Sequence, residues 1–159
     1  MKKQRLYLTF VEEDLKAFKK FRKHLSLLED RGIVEIWSKD EVLPGTNVEE
    51  AIKKQLNKAD MVLFLISIEL LTDPDIRKLE LKIALQRVKK KQTKILPILY
   101  RRCAWTLTDL GKFQPFPSNG RFVDMWQNED NAWTTVVEQI YESLQSANNP
   151  DSEVPNSDN

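Results

Sequence analysis

A 159-residue α/β domain, built on a central parallel sheet of about five strands with helices on both faces, is predicted by three features of the sequence. Strand-like and helix-like segments alternate along nearly the whole chain. Residues 61–67, MVLFLIS, form an unbroken apolar run of the kind that lies in the middle of a parallel sheet covered on both sides. Residues 94–100, KILPILY, form a second such run. The length fits one domain with a real core, since 41% of the residues are hydrophobic.

Arg5 to Phe10 (RLYLTF) is the first strand, followed by an acidic turn. Leu15, Phe18, Phe21, Arg22, Leu25 and Leu28 then recur at spacings of three and four, which predicts an amphipathic helix. Gly32 stands where a helix C-cap is expected, and Ile33 to Trp37 (IVEIW) has the β-branched content of a buried strand. In the connection SKDEVLPGT, Pro44-Gly45 supplies turn chemistry, and Thr46 or Asn47 is placed to cap a helix reaching Leu56. The apolar third strand leads to a helix starting near Asp73 or Pro74. Pro97 in the fourth strand argues for an edge position or a bulge.

From Arg101 to Arg121 the chain reads as a long loop with one helical turn around Leu107 to Phe113. A short fifth strand at Arg121 to Met125 and a closing helix from about Asn131 to Leu144 complete the pattern, the helix burying Trp133, Val136, Val137, Ile140 and Leu144. The domain is expected to occupy 1–146, with 147–159 a disordered tail or a linker to a further domain. Trp126 and Trp133 read as packing residues, and Trp37 and Trp105 fit a core at least as well as a ligand stack.

Twenty-five Lys and Arg against 24 Asp and Glu leave a formal charge of +1, so no direct nucleic-acid contact is expected. The basic stretches Lys16 to Lys23 and Arg87 to Lys94 read as solvated helix faces. The one cysteine, Cys103, has no disulfide partner, and no Cys/His spacing offers a metal site. There is no signal-peptide pattern and no apolar run near the ~20 residues of a membrane span, so a cytoplasmic location without membrane contact is expected.

Glu80 is the residue that requires explanation. On an α-helix its neighbours three and four residues away are Ile76, Arg77, Ile83 and Ala84, three of them apolar. Such a carboxylate is either desolvated, paired with a cation from elsewhere, or exposed at a pocket rim; the plain alternative is an exposed pair with Arg77. Ligands in parallel α/β sheets bind at the carboxyl ends of the strands, and the helix carrying Glu80 follows one such end. The loop after the first strand (Thr9, Phe10, Val11, Glu12), Trp37 and Glu80 are expected to converge on one crevice there. Arg101 and Arg102 at the end of the fourth strand read as solvated or as phosphate contacts.

The chemistry available to such a site is narrow. No GxGxxG motif or P-loop is present, and four glycines leave little material for cradling phosphates. His24, the one histidine, lies on the first helix and is a poor candidate for a base. A receiver domain would need an aspartate where this chain has Ser67-Ile68-Glu69. One carboxylate suffices, however, to cleave the bond between a ribose and a pyridinium base. The base leaves neutral without a general acid, and the carboxylate stabilises the positive charge that develops on the sugar.

Four blocks, HLSLLEDRGIVEIWSKDEVLPGT, ADMVLFLIS, KILPILYRRCAW and GKFQPFPSNGRFVDMWQNEDNAW, occur in the order and spacing of the bacterial branch of the Toll/interleukin-1 receptor (TIR) domain family, which the chain resembles over about residues 5–145. The resemblance implies a flavodoxin-like fold and a BB loop at Ser38 to Thr46, in which Val42, Leu43, Pro44 and Gly45 would serve oligomerisation. It implies NAD+ as substrate, with no cofactor, cleaved to nicotinamide and ADP-ribose or a cyclised variant. An anti-phage or signalling effector activated by self-association, with a fused or separate sensor, is the implied setting. The family's catalytic glutamate falls on Glu80, and its aromatic residue at the end of the second strand falls on Trp37. Where relatives carry an acidic residue two positions beyond that aromatic, this chain has Lys39, with Asp40 adjacent as the implied substrate contact. Thr9-Phe10-Val11 replaces a Ser-Tyr-Ser type sequence, Glu12-Glu13 replaces polar or basic residues, and Asp75-Ile76 stands in place of an aromatic and a Cys or Ser. The alternatives are a non-catalytic TIR interaction module and an enzyme like the nucleoside deoxyribosyltransferases.

Overall fold

The computed structural model describes residues 2–148. Four parallel strands, β1 Gln4–Thr9, β2 Val34–Ser38, β3 Met61–Ile66 and β4 Lys94–Leu99, form one sheet in the order β2-β1-β3-β4. Tyr7 pairs with Trp37 on one side and Val62 on the other, so β1 is hydrogen-bonded along both edges. The α-helices are α1 Leu15–Asp30, α2 Val48–Leu56, α3 Ile68–Thr72, α4 Lys82–Lys89 and α5 Glu129–Asn148.

The pleat of β1 divides the core in two. Leu6, Leu8 and Phe10 face one side, where α1 and α5 bring Phe18, Phe21, Leu25, Trp133, Val136 and Ile140. Tyr7 and Val11 face the other, with Ile52 and Leu56 of α2, Leu70 of α3, and Ile76 and Ala84. Every residue of β3 is buried, which is why its sequence is apolar without alternation. Trp133 is fully buried and stacks on Phe21 with ring centroids 5.0 Å apart. Trp105 is also core, whereas Trp126 is half-buried and donates its indole N–H to the carbonyl of Arg121.

Several local signals act as expected. Asn47 caps α2 by accepting from the Glu50 amide at 3.1 Å. Asp73 caps the helix that begins at Pro74, its carboxylate accepting from the amides of Asp75 and Ile76. Pro97 lies on an edge strand. Its carbonyl accepts from Phe116 on the side away from β3, so the missing N–H costs no ladder bond.

Three expectations need correction. Arg121 to Met125 is not a strand, because Val123–Met125 forms a 3-10 turn; the outer edge of β4 is covered instead by a single bridge from Phe116 to Ile98. The helix after β3 is not uniformly α, since Ile76–Leu81 is π-helical before α4 begins. The helical turn in the long loop is two 3-10 turns, Trp105–Leu107 and Asp109–Lys112. The tail expected over 147–159 lies outside the described residues, apart from Ala147 and Asn148, which the last helix includes.

Gly32 ends α1 with φ +71°. Its amide donates to Glu29 O at 2.8 Å and that of Ile33 to Leu28 O at 3.0 Å, the paired bonds of a Schellman cap. An added Cβ would meet nothing closer than Lys3 Cε at 3.9 Å, so the cost of a side chain there is conformational alone. Gly32→Ala should therefore lower unfolding stability by about 1 kcal/mol, measured by denaturant titration, with an unchanged m-value.

Candidate active site

Glu80 lies in the π-helical segment and faces inward. Ile76 at its start is 2% exposed and Glu80 itself 3%, while Arg77 is exposed and makes no ion pair with it. Ile76, Glu80 and Ala84, four residues apart in turn, are all buried on one face, and π turns such as this one recur at functional sites. Of the possibilities open for this carboxylate, desolvation is the one realised.

Its partner is Tyr7. The phenol of Tyr7 donates to Glu80 Oε1 at 2.6 Å across 73 residues of sequence, and among the described residues this is the only hydrogen bond to the carboxylate. The ring of Trp37 lies against that of Tyr7, centroids 5.2 Å apart and tilted by 37°. Burial pushes the Glu80 carboxyl above the usual carboxylate range; the Tyr7 hydrogen bond and the charge of Lys39 pull it back, and Asp73 adds to the rise. The Tyr7 phenol is itself pushed far up, by burial and by the neighbouring carboxylate, so it stays a donor.

The other expected contacts distribute unevenly. Thr9 is buried on the Tyr7 face of β1, two residues nearer the carboxyl end, and its hydroxyl has no hydrogen-bond partner among the described residues. Val11 is core on that face. Phe10 belongs to the opposite core, stacked on Phe18 at 3.8 Å, and Glu12 is exposed in the turn beyond. Asp40 is exposed and accepts from the hydroxyl of Ser38. Lys39, not Asp40, sends its charge toward Glu80, its ammonium standing 5.8 Å from the centre of the Phe10 ring. In the loop that follows, Val42 is half-buried, Leu43 is 73% exposed, and Pro44 and Gly45 are exposed.

The carboxylate is walled off. A cavity of about 140 Å³ touches Tyr7 and Trp37 from the amino-terminal half of the strands. One of about 380 Å³ lies between Ile52 of α2 and Leu79, and one of about 400 Å³ lies between α3, Ile76 and Leu110. None of these includes Glu80 or Thr9 in its walls. No group of three or more His, Cys, Asp or Glu among the described residues could hold a metal ion.

Sequence reasoning missed a second polar cluster, at the carboxyl ends of β1 and β3. The hydroxyl of Ser67 donates to the buried Asp14 and accepts from the Leu70 amide, capping α3. Arg101 donates to Asp14 at 3.0 Å and also to Glu69. Two carboxylates therefore already occupy Arg101, which removes it as a ready phosphate contact; Arg102 is exposed. The available signals were Ser67 directly after an apolar strand, in N-cap position, and the acidic run ending at Asp14. Tyr7 carried no signal beyond a polar tip in an apolar strand.

The chain is similar to several known proteins. Residues 7–141 match the TIR domain family profile. The uncharacterized protein y4lF of Sinorhizobium fredii (strain NBRC 101917 / NGR234) is 26% identical over 121 residues, 76% of this chain. That match takes in only 38% of y4lF, so the chain spans well under two thirds of this relative. The TIR domain of the Toll-related receptor TRR-2 from Hydra magnipapillata superposes with a TM-score of 0.62 at 15% identity, covering 88% of this chain and 97% of that one. The TIR domains of the activated Roq1 resistosome, which recognises the pathogen effector XopQ, superpose at 0.61 with 14% identity, covering 89% and 99%. At these identities the structural matches establish the fold.

A buried carboxyl whose folded-state pKa exceeds its unfolded value binds its proton more tightly when folded, so stability falls as pH rises from the unfolded toward the folded value and stays lower above it. Glu80→Gln removes the charge but keeps an acceptor for Tyr7. It should leave Tm unchanged near pH 4 and raise it at pH 7 to 8, by roughly 2–4 °C per kcal/mol recovered. Calorimetry across that pH range checks this; a Tm that falls at neutral pH would contradict the assignment of Glu80 as a destabilising buried charge.

Proposed function

This chain belongs to the TIR domain family, and on that premise we propose that it cleaves NAD+ at the bond between nicotinamide and ribose, with Glu80 as the catalytic carboxylate. The observation that carries the proposal is a desolvated carboxylate that, among the described residues, has one hydrogen-bond donor and no ion pair, the donor being a tyrosine packed against Trp37. In the reaction the C1′–N bond breaks and its electron pair leaves with the ring nitrogen as neutral nicotinamide. The positive charge left on C1′ and the ring oxygen is stabilised by the Glu80 carboxylate, most strongly where water is excluded. Water adding to C1′ and losing a proton to solvent gives ADP-ribose; an adenine nitrogen adding there instead gives a cyclic product.

The supporting groups follow from placement. The unpartnered Thr9 hydroxyl suits a ribose hydroxyl, and Trp37 supplies an aromatic wall for the nicotinamide. Val11 backs the pocket from the core on the Tyr7 face, Phe10 lies in the opposite core and is left out of it, and Glu12 and Asp40 are left for its outer rim. With Arg101 engaged, Lys39, the cation whose charge acts on Glu80, would serve the diphosphate.

Because Glu80 is enclosed, we propose that the Ser38 to Thr46 loop moves when copies of the domain assemble, with exposed Leu43 as an apolar contact for a neighbour. A fused or separate sensor would drive that assembly, in an anti-phage or signalling role. The same enclosed carboxylate and exposed loop favour a second reading, a TIR interaction module without chemistry. Among the described residues no helix is long and apolar enough to cross a membrane.

Nicotinamide release from NAD+ separates the two. Glu80→Ala and Glu80→Gln should each lower turnover at least ~100-fold while the domain stays folded. Wild-type rates in either variant would remove Glu80 from the mechanism, and no release by clustered wild-type protein would favour the interaction module. The active form is the ionised one, so the acid limb of the rate profile should lie above the ordinary glutamate value of ~4.3 and activity should fall as pH drops through it. Polar substitution of Val42 and Leu43 should reduce the activity of clustered protein. A specific activity that stays flat across a wide concentration range, in protein shown to be monomeric throughout, would contradict activation by assembly.

A further inference from the structure

We infer that Tyr7 is the positioning residue for Glu80, its phenol fixing one carboxylate oxygen and leaving the other for the reacting sugar. The inference rests on the proposed role of Glu80 but is testable apart from it. Tyr7 is held on every side: its backbone lies in the central strand between Trp37 and Val62, its side chain is 1% exposed, and the Trp37 ring packs against it. A donor fixed in this way does not have to be ordered when substrate arrives. Its hydroxyl reaches Glu80 Oε1 at 2.6 Å, whereas Oε2 accepts from no other described residue.

The hydroxyl has an effect that packing does not. The other charges acting on Glu80 are Lys39, from the turn after β2, and Asp73, from the cap of its own helix; α2 directs Glu49 to the cavity beside Leu79. Against the rise that burial imposes on Glu80, the Tyr7 hydrogen bond is the largest opposing influence, with Lys39 acting in the same direction and Asp73 in the other. Without it the carboxylate would be protonated over more of the working pH range and free to rotate.

The test pairs two substitutions with opposite expected signs in the full chain. Tyr7→Phe keeps the ring and deletes the donor, and a fluorinated tyrosine introduced at position 7 keeps the donor and makes it more acidic. With ¹³C-labelled glutamate, the Glu80 carboxyl signal, identified by its loss in Glu80→Gln, is followed through a pH titration. Tyr7→Phe should raise the Glu80 midpoint by about one to two pH units and fluorotyrosine should lower it. In NAD+ turnover, Tyr7→Phe should shift the acid limb upward equally and lower kcat at pH 7 roughly 10-fold, with KM changed less than about 2-fold. Midpoints that do not move, or that move the same way in both variants, overturn the inference whatever the activity. If wild-type protein releases no nicotinamide, the proposed function fails, while the titration still decides the role of Tyr7.

Discussion

A parallel sheet covered on both faces leaves water little access to a polar group at its centre, and the Tyr7–Glu80 hydrogen bond is where this fold meets that constraint. β1 lies between β2 and β3, so a side chain on either of its faces enters a core. A tyrosine can occupy such a position because its ring packs as phenylalanine would, but its hydroxyl then needs a partner. Glu80 supplies that partner, and among the described residues Tyr7 supplies the only donor to the carboxylate. Neither group is well accommodated alone. Together they remain a net cost at neutral pH, since one hydrogen bond offsets only part of the desolvation of a charge. A domain that needed only stability would place two apolar residues here, which is why the pair points to chemistry.

The carboxyl ends of β1 and β3, where the order β2-β1-β3-β4 changes direction, are the usual ligand crevice of open α/β sheets. In this protein Asp14, Ser67, Arg101 and Glu69 close that crevice with a connected set of hydrogen bonds. Charge explains the division of labour between the two polar groups. Asp14 is buried but meets a hydroxyl and a guanidinium, so its interactions are largely satisfied within the fold and it ties three strand ends together. Glu80 is buried to the same degree, and among the described residues its one hydrogen-bond donor is neutral, so its charge is less well satisfied within the fold.

Much of the framework was legible in the sequence because local chemistry and the global fold agree there. The unbroken apolar run of β3, Asn47 as a cap, Gly32 after α1 and Pro97 on an edge each reflect one local rule that tertiary packing left undisturbed. The strand expected at Arg121 to Met125 failed because Phe122 and Val123 meet the core through a 3-10 turn, which buries two adjacent residues as a short strand would. Glu80 stood out because a carboxylate among isoleucines conflicts with helical patterning, and the structure keeps that conflict. Tyr7 was not legible because tyrosine is an ordinary strand residue; only a contact across 73 residues gives its hydroxyl a purpose. Lys39 was hidden by the turn geometry. In the sequence Asp40 stands next to Lys39, one residue farther from Trp37, but the 3-10 turn Lys39–Glu41 turns Asp40 back onto Ser38.

That turn also links the exposed loop to the buried carboxylate. The Ser38 amide donates to Glu41 at 3.3 Å, Glu41 lies 3.9 Å from Arg22 of α1, and the chain then passes directly into Val42 and Leu43. Lys39 sits inside this short clamp, and its charge is one of two influences that favour the ionised form of Glu80. A force applied at Leu43 has only the Ser38–Glu41 turn between it and Lys39. Opening that turn would withdraw a positive charge from Glu80 while admitting water to it, and the two changes act on its proton in opposite directions. Movement that brought Lys39 closer and kept water out would instead strengthen the ionised carboxylate without touching Tyr7. Under the proposed activation by assembly, contact at the loop would act on Glu80 through the position of Lys39, a property of the loop and its partner and not of the buried pair.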